Sequence, residues 1–132
     1  MGSFKYLSAE WAQEAARRLR LELDAEKMKH VTSSMLTLYK NCPDGQDRAL
    51  YYKFVDGLLD ELSVREGEVP EAEFRIIGNY EIFAKISRAE MGSRSALMSG
   101  KLMLKGNMVK ALSLSAIVDR MNKVLSTIPT DY

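Results

Sequence analysis

The chain has 132 residues, 46% of them hydrophobic and 28% charged, with 19 Lys and Arg against 18 Asp and Glu. That mixture excludes an intrinsically disordered chain, and a net charge of +1 excludes the strongly basic surface of a nucleic-acid binder. The length suits one domain, residues 1–132, large enough to bury a real core.

Ser8 is placed to cap a helix over 8–23, in which Leu7, Trp11, Ala15, Leu19 and Leu23 recur every four residues. A second helical stretch is expected over Asp24–Val31, with Ala25, Met28 and Val31 inward. Three strands follow at 34–40, 48–55 and 58–65, forming a meander. Asn41–Gly45 supplies turn chemistry before the second strand, and Asp56-Gly57 is the dipeptide of a type I′ hairpin before the third. In the second strand Leu50, Tyr52 and Phe54 share one face. In the third, Leu58, Asp60, Leu62 and Val64 alternate with Leu59, Glu61, Ser63 and Arg65. Glu66–Glu71 reads as a loop and Glu73–Ile77 as a fourth strand.

Asn79 is placed to cap a helix carrying Ile82, Phe83, Ile86 and Ala89 and ending at Gly92. Ser93–Ser99 is a short helical turn stopped by Gly100, and Lys101–Lys105 is a fifth strand. Asn107 caps the last helix, which carries Leu114, Ile117, Val118, Met121, Val124, Leu125 and Ile128 as one apolar stripe up to Pro129. The order, helix, three strands, strand, helix, strand, helix, gives an α+β domain with helices on a sheet.

The inventory is poor in chemistry. One histidine, His30, and one cysteine, Cys42, make neither a zinc site of the usual kinds nor an intramolecular disulfide. Asp60 and Glu61 point to opposite faces of a strand. The acids Glu66, Glu68, Glu71 and Glu73 lack calcium-loop spacing. Gly100-Lys101 opens a strand rather than the helix a phosphate loop needs. No catalytic residue, metal or cofactor is therefore expected. No run is long enough to span a bilayer and the first residues lack a signal-peptide stretch, so the expected location is cytoplasmic.

One segment carries a resemblance. Ile76-Ile77-Gly78-Asn79-Tyr80-Glu81-Ile82-Phe83, then Arg94-Ser95-Ala96-Leu97-Met98-Ser99-Gly100-Lys101-Leu102, then Met103-Leu104-Lys105-Gly106-Asn107-Met108, resembles the sterol carrier protein type-2 family. The motif covers about 35 residues, and the element order matches over the whole chain. The resemblance implies a five-stranded, mostly antiparallel sheet with helices over one face and an apolar tunnel between them, closed by the C-terminal helix. It implies non-catalytic binding, and transfer between membranes, of a lipid: a fatty acyl chain, acyl-CoA, phospholipid or sterol-like ligand. The alternative is an accessory or regulatory module serving a separate enzyme.

The tunnel lining implied for this chain is Tyr52, Phe54, Ile82, Phe83, Ile86, Leu97, Met98, Met103, Met108, Leu112, Ile117 and Met121. For each of these, ordinary core packing is the competing reading. Arg94 is the candidate headgroup contact, with a solvated surface arginine as its alternative. Leu97 and Met98 stand where better-studied members carry a phenylalanine pair, and Met103 where they carry lysine. Flexible thioethers suit an acyl chain better than a rigid ring system. The near-zero net charge argues against a strong electrostatic anchor, so membrane contact is expected to be transient.

Overall fold

A computed structural model describes residues 3–43, 45–66 and 70–132. Asp44 of the expected turn and residues 67–69 of the expected loop lie outside the described residues. The elements are β1 (Phe4–Lys5), α1 (Ala9–Glu22), β2 (Ser33–Lys40), β3 (Arg48–Val55), β4 (Leu58–Arg65), β5 (Phe74–Asn79), α2 (Tyr80–Ser87), α3 (Ser93–Met98), β6 (Leu102–Lys105), α4 (Met108–Ser113), α5 (Ser115–Leu125) and β7 (Thr130–Asp131).

The main sheet runs β4-β3-β2-β5-β6. Only β2 and β5 pair in parallel; the other three pairs are antiparallel. This is the mostly antiparallel five-stranded α+β fold that the sequence leads one to expect. A two-stranded parallel ribbon, β1 with β7, joins the two ends of the chain. Neither strand shows in the sequence, since two residues carry no periodicity.

Local chemistry accounts for most boundaries. The Ser8 hydroxyl accepts from the Trp11 N–H at 3.1 Å and starts α1. Asp56 and Gly57 both take positive φ, 50° and 80°, as a type I′ turn requires. Helix α2 stops at Arg88, before the expected Gly92. Ala89 turns left-handed at φ 60°, while Glu90 N–H bonds Lys85 O and Ala89 N–H bonds Ile86 O. That is a Schellman ending built on alanine. Asn79 sits at the N-cap, but its side-chain oxygen accepts from Asn41 instead of capping.

Three further expectations are corrected. Asp24–Val31 is a chain of turns, not a helix, because Lys29 and His30 both adopt φ 53°. The last helix is two, since Leu114 (ψ −1°) separates α4 from α5. The hydroxyls of Ser113 and Ser115 bond the carbonyls of Lys110 and Leu112, competing with the helical ladder at that point. In β4 a bulge leaves Asp60 unpaired between Glu61, opposite Lys53, and Leu59, opposite Phe54. Alternation therefore slips by one residue. Leu59 turns into the core and Leu58 is 57% exposed.

All helices cover one face of the sheet. Trp11, Ala15 and Leu19 of α1 and Ile117, Met121 and Leu125 of α5 share one core with Met35, Tyr39, Leu50, Tyr52 and Phe54 of the strands. Among the described residues the opposite face carries a small cluster, Leu36, Ala49 and Tyr51, with Leu38 and Ala72 packed on it.

Candidate functional site: an apolar seam between sheet and helix

Alternation along two paired strands builds the floor of the site. Met35, Thr37 and Tyr39 of β2 face the helices, as do Leu50, Tyr52 and Phe54 of β3, because side chains in a strand point the same way every second residue. Helix α5 supplies the roof through Ile117, Val118 and Met121.

Two small voids lie between floor and roof. One, about 30 Å³, is lined by Met28, Val31, Ser33, Ser34, Met35, Tyr52, Phe54, Leu114, Ile117, Val118 and Met121. The other, about 40 Å³, reaches past Thr37, Tyr39, Phe83 and Ile86 to Tyr6. Met35, Tyr52, Val118 and Met121 line both, so the two adjoin along one seam of the sheet–helix interface. Its outer end is marked by the half-buried Val31, Ser33, Ser34 and Leu114. Its inner end is aromatic. Tyr39 stacks on Phe83 at 4.6 Å, and the Tyr6 and Tyr39 hydroxyls lie 3.1 Å apart. From Ser33 to Tyr39 the seam follows seven residues of strand, about 20 Å at ~3.3 Å per residue.

Polar groups in the seam are few. The Tyr52 hydroxyl donates to the Met35 sulfur at 2.8 Å. Burial pushes the phenols of Tyr6, Tyr39 and Tyr52 well above their usual range, so each remains a neutral donor. Among the described residues no cluster of three His, Cys, Asp or Glu stands where a metal would need it, and no helix is long and apolar enough to cross a membrane.

Of the residues implied by the sequence, Tyr52, Phe54, Phe83, Ile86, Ile117 and Met121 line the seam. Leu97 is buried and Ile82 and Leu112 are partly buried in the same core, away from the voids. Met98, Met103 and Met108 are 68%, 65% and 44% exposed. They stand on the surface together with Val109, because Leu102 of β6 and Ala111 of α4 take the inward positions. Arg94 is exposed on α3, and its neighbour Ser93 borders the seam instead. Val118 belongs to the apolar stripe expected on the last helix, whereas Met28, Val31 and Met35 are not among the expected lining. The alternation of Met35, Thr37 and Tyr39 was the available signal for one of them.

A larger opening lies elsewhere. A groove of about 880 Å³ runs between α1 and the edge strand β4. Lys5, Arg20, Arg48, Asp60, Glu61 and Glu66 line it alongside Ala12, Ala16, Leu62 and Val64. Its mixed charge suits water better than an acyl chain. The seam is the smaller space, but it is the apolar one.

A family model described as the SCP-2 sterol transfer family matches residues 20–119. Among solved structures, the chain is similar to a sterol carrier protein 2, with a TM-score of 0.80 at 23% identity over 94% of this chain and 99% of that one. It is similar to a conserved hypothetical protein from Thermus thermophilus, with a TM-score of 0.79 at 23% identity over 98% and 97%. A third similarity is to palmitated SCP2L2 from Aedes aegypti, with a TM-score of 0.59 at 20% identity over 84% and 94%. Among curated protein sequences, none matches the chain.

Proposed function

The chain belongs to the SCP-2 sterol transfer family, and from that premise we propose that it binds the apolar chain of a lipid in the seam between the sheet and α5 and exchanges that lipid with membranes, without catalysing a reaction. The observation that supports this reading is that the two voids adjoin, with Met35, Tyr52, Val118 and Met121 lining both. The shared lining is apolar apart from the Tyr52 hydroxyl, and the inner void adds Thr37, Tyr39, Ser93 and Asn122.

Size sets a condition. Ligand pockets run to about 300–1,000 Å³, and voids of about 30 and 40 Å³ hold no lipid as they stand. The helices must part. The break at Leu114 makes α4 the natural moving part. It is six residues long, exposes Met108 and Val109, and buries only Ala111. Each methylene that then enters contributes ~0.8 kcal/mol, so a long chain repays the opening.

Acyl chains fit this reading better than rigid rings. The methionines that would adapt are Met28, Met35 and Met121, which line the seam, rather than the exposed Met98 and Met103. The palmitated state of the similar Aedes aegypti protein supports the same ligand class. Exposed Met98, Met103, Met108 and Val109 lie on β6 or its flanking helices. Residues 91–118 contain Arg94, Lys101, Lys105 and Lys110 and no acid. That stretch is the suited contact for an anionic bilayer during exchange.

Native mass spectrometry of the purified protein, paired with transfer of a fluorescent fatty acid between vesicles, tests the proposal. A bound acyl lipid and protein-dependent transfer are expected. A protein that neither carries nor transfers lipid contradicts it.

A further inference from the structure

A carboxylate is already seated beside the outer end of the seam. Glu73 precedes β5, and its Oε1 accepts from the Ser33 hydroxyl at 2.7 Å. Its Oε2 is ion-paired with the ammonium of Lys110 on α4. Its backbone N–H donates to the Ser34 hydroxyl at 2.9 Å, which fixes its position. Ser33 and Ser34 also line the outer void, and so does Leu114, whose N–H bonds the Lys110 carbonyl. An ammonium and a hydroxyl thus converge on one carboxylate where the apolar lining ends.

We propose that Lys110 and Ser33 form the headgroup site for a single-chain amphiphile bearing a carboxylate, and that Glu73 fills this site until the ligand displaces it. The inference rests on the reading that the seam takes the apolar chain. Three features carry it. The donors match a carboxylate in number and kind, one charged and one neutral. Glu73 is 36% exposed, so its side chain can turn to water when displaced, and a pair this exposed holds only weakly. Lys110 rides on α4, the element that must move to admit a chain, so one event frees the donor and opens the seam. Exchanging one carboxylate for another leaves the local charge balance of the protein's own groups intact, except that Glu73 becomes solvated.

The test compares lauric acid with 1-dodecanol, which share a chain and differ in headgroup, by calorimetric titration at neutral pH. Wild-type protein is expected to bind both and to prefer the acid. Lys110→Met should lower the acid affinity severalfold while leaving the alcohol affinity unchanged. Glu73→Gln, which removes the competing charge, should raise the acid affinity severalfold and again spare the alcohol. The alcohol affinity reports directly whether a variant has kept its fold and its seam. If the acid-to-alcohol ratio is the same in wild type, Lys110→Met and Glu73→Gln, the headgroup site is overturned and the seam survives. If wild type binds neither compound, the seam itself is overturned.

Discussion

The Tyr52 hydroxyl and the Met35 sulfur meet at 2.8 Å across directly opposed positions of β3 and β2. Both residues line both voids, so this one contact fixes the waist of the seam. It also sets the polarity there. A thioether is a weak acceptor, and the phenol, held neutral by burial, shares that point of the floor with the Thr37 hydroxyl.

Tyr52→Phe should therefore cost little. The net loss of one hydrogen bond is about 0.5–1.5 kcal/mol, and the lower end applies to a sulfur acceptor. Urea unfolding should show a small fall in stability, and fatty-acid affinity should hold. A collapse of affinity would assign the Tyr52 hydroxyl to the headgroup and contradict the orientation argued above.

Val118 lies at the junction of both voids and is only half-buried, so it accepts a larger side chain more readily than Met121. Val118→Phe should fill the seam at an overpacking cost of about 1–3 kcal/mol. Excluding two methylenes of ligand corresponds to ~1.6 kcal/mol. Lauric acid titration should accordingly show affinity falling about tenfold or more, with the circular dichroism spectrum unchanged.

Glu14 carries a pH dependence. Hydrogen bonds from Arg17, and then from Arg18, hold its carboxyl at about 2. Arg18 also donates to the Thr127 carbonyl at 2.7 Å, tying α1 to the chain beyond α5. A lowered carboxylate pKa stabilises the fold fully above the unfolded value and ceases to do so as pH falls through the folded one. The difference in melting temperature between wild type and Glu14→Gln should be largest above about pH 5 and close towards about pH 2. A gap independent of pH would show that the ion pairs contribute nothing.

Gly57 turns the β3–β4 hairpin against the 24–31 segment. Its N–H bonds Val31 O at 2.7 Å, and a Cβ there would stand 2.6 Å from Ala25 O, a backbone atom that cannot swing aside. Gly57→Ala should cost about 2 kcal/mol or more. Gly100→Ala is the control. It has similar φ, 79°, with nothing near its added methyl, and should cost about 1–2 kcal/mol. Equal losses in urea unfolding would contradict the packing argument.

The sheet was legible in the sequence because strand periodicity, the Asp56-Gly57 turn and the Asn107 cap are local signals. The parallel pairing of β2 with β5 is nonlocal, and nothing in the sequence marks it. The errors also have local causes. Residues 24–31 keep helical spacing, yet Lys29 and His30 turn left-handed against the hairpin. The bulge at Asp60 reverses the face of Leu59, and no composition marks it. Among the candidate lining residues, those on β3 and α5 reached the seam, together with Phe83 and Ile86 of α2. Met98, Met103 and Met108 sit at helix ends or on an edge strand, where apolar character does not dictate direction. Seven of the eight methionines have thus divided into a seam group, Met28, Met35 and Met121, an outer group, Met98, Met103 and Met108, and the half-buried Met91.

That division supplies the most direct measurement. Methyl spectra of protein labelled at methionine, recorded during titration with a spin-labelled stearic acid, report each group separately. The Met28, Met35 and Met121 methyls are expected to broaden at stoichiometric ligand while those of Met98 and Met103 stay sharp. Broadening confined to Met98, Met103 and Met108, or to none of the methionines, would contradict a lipid bound between the sheet and α5.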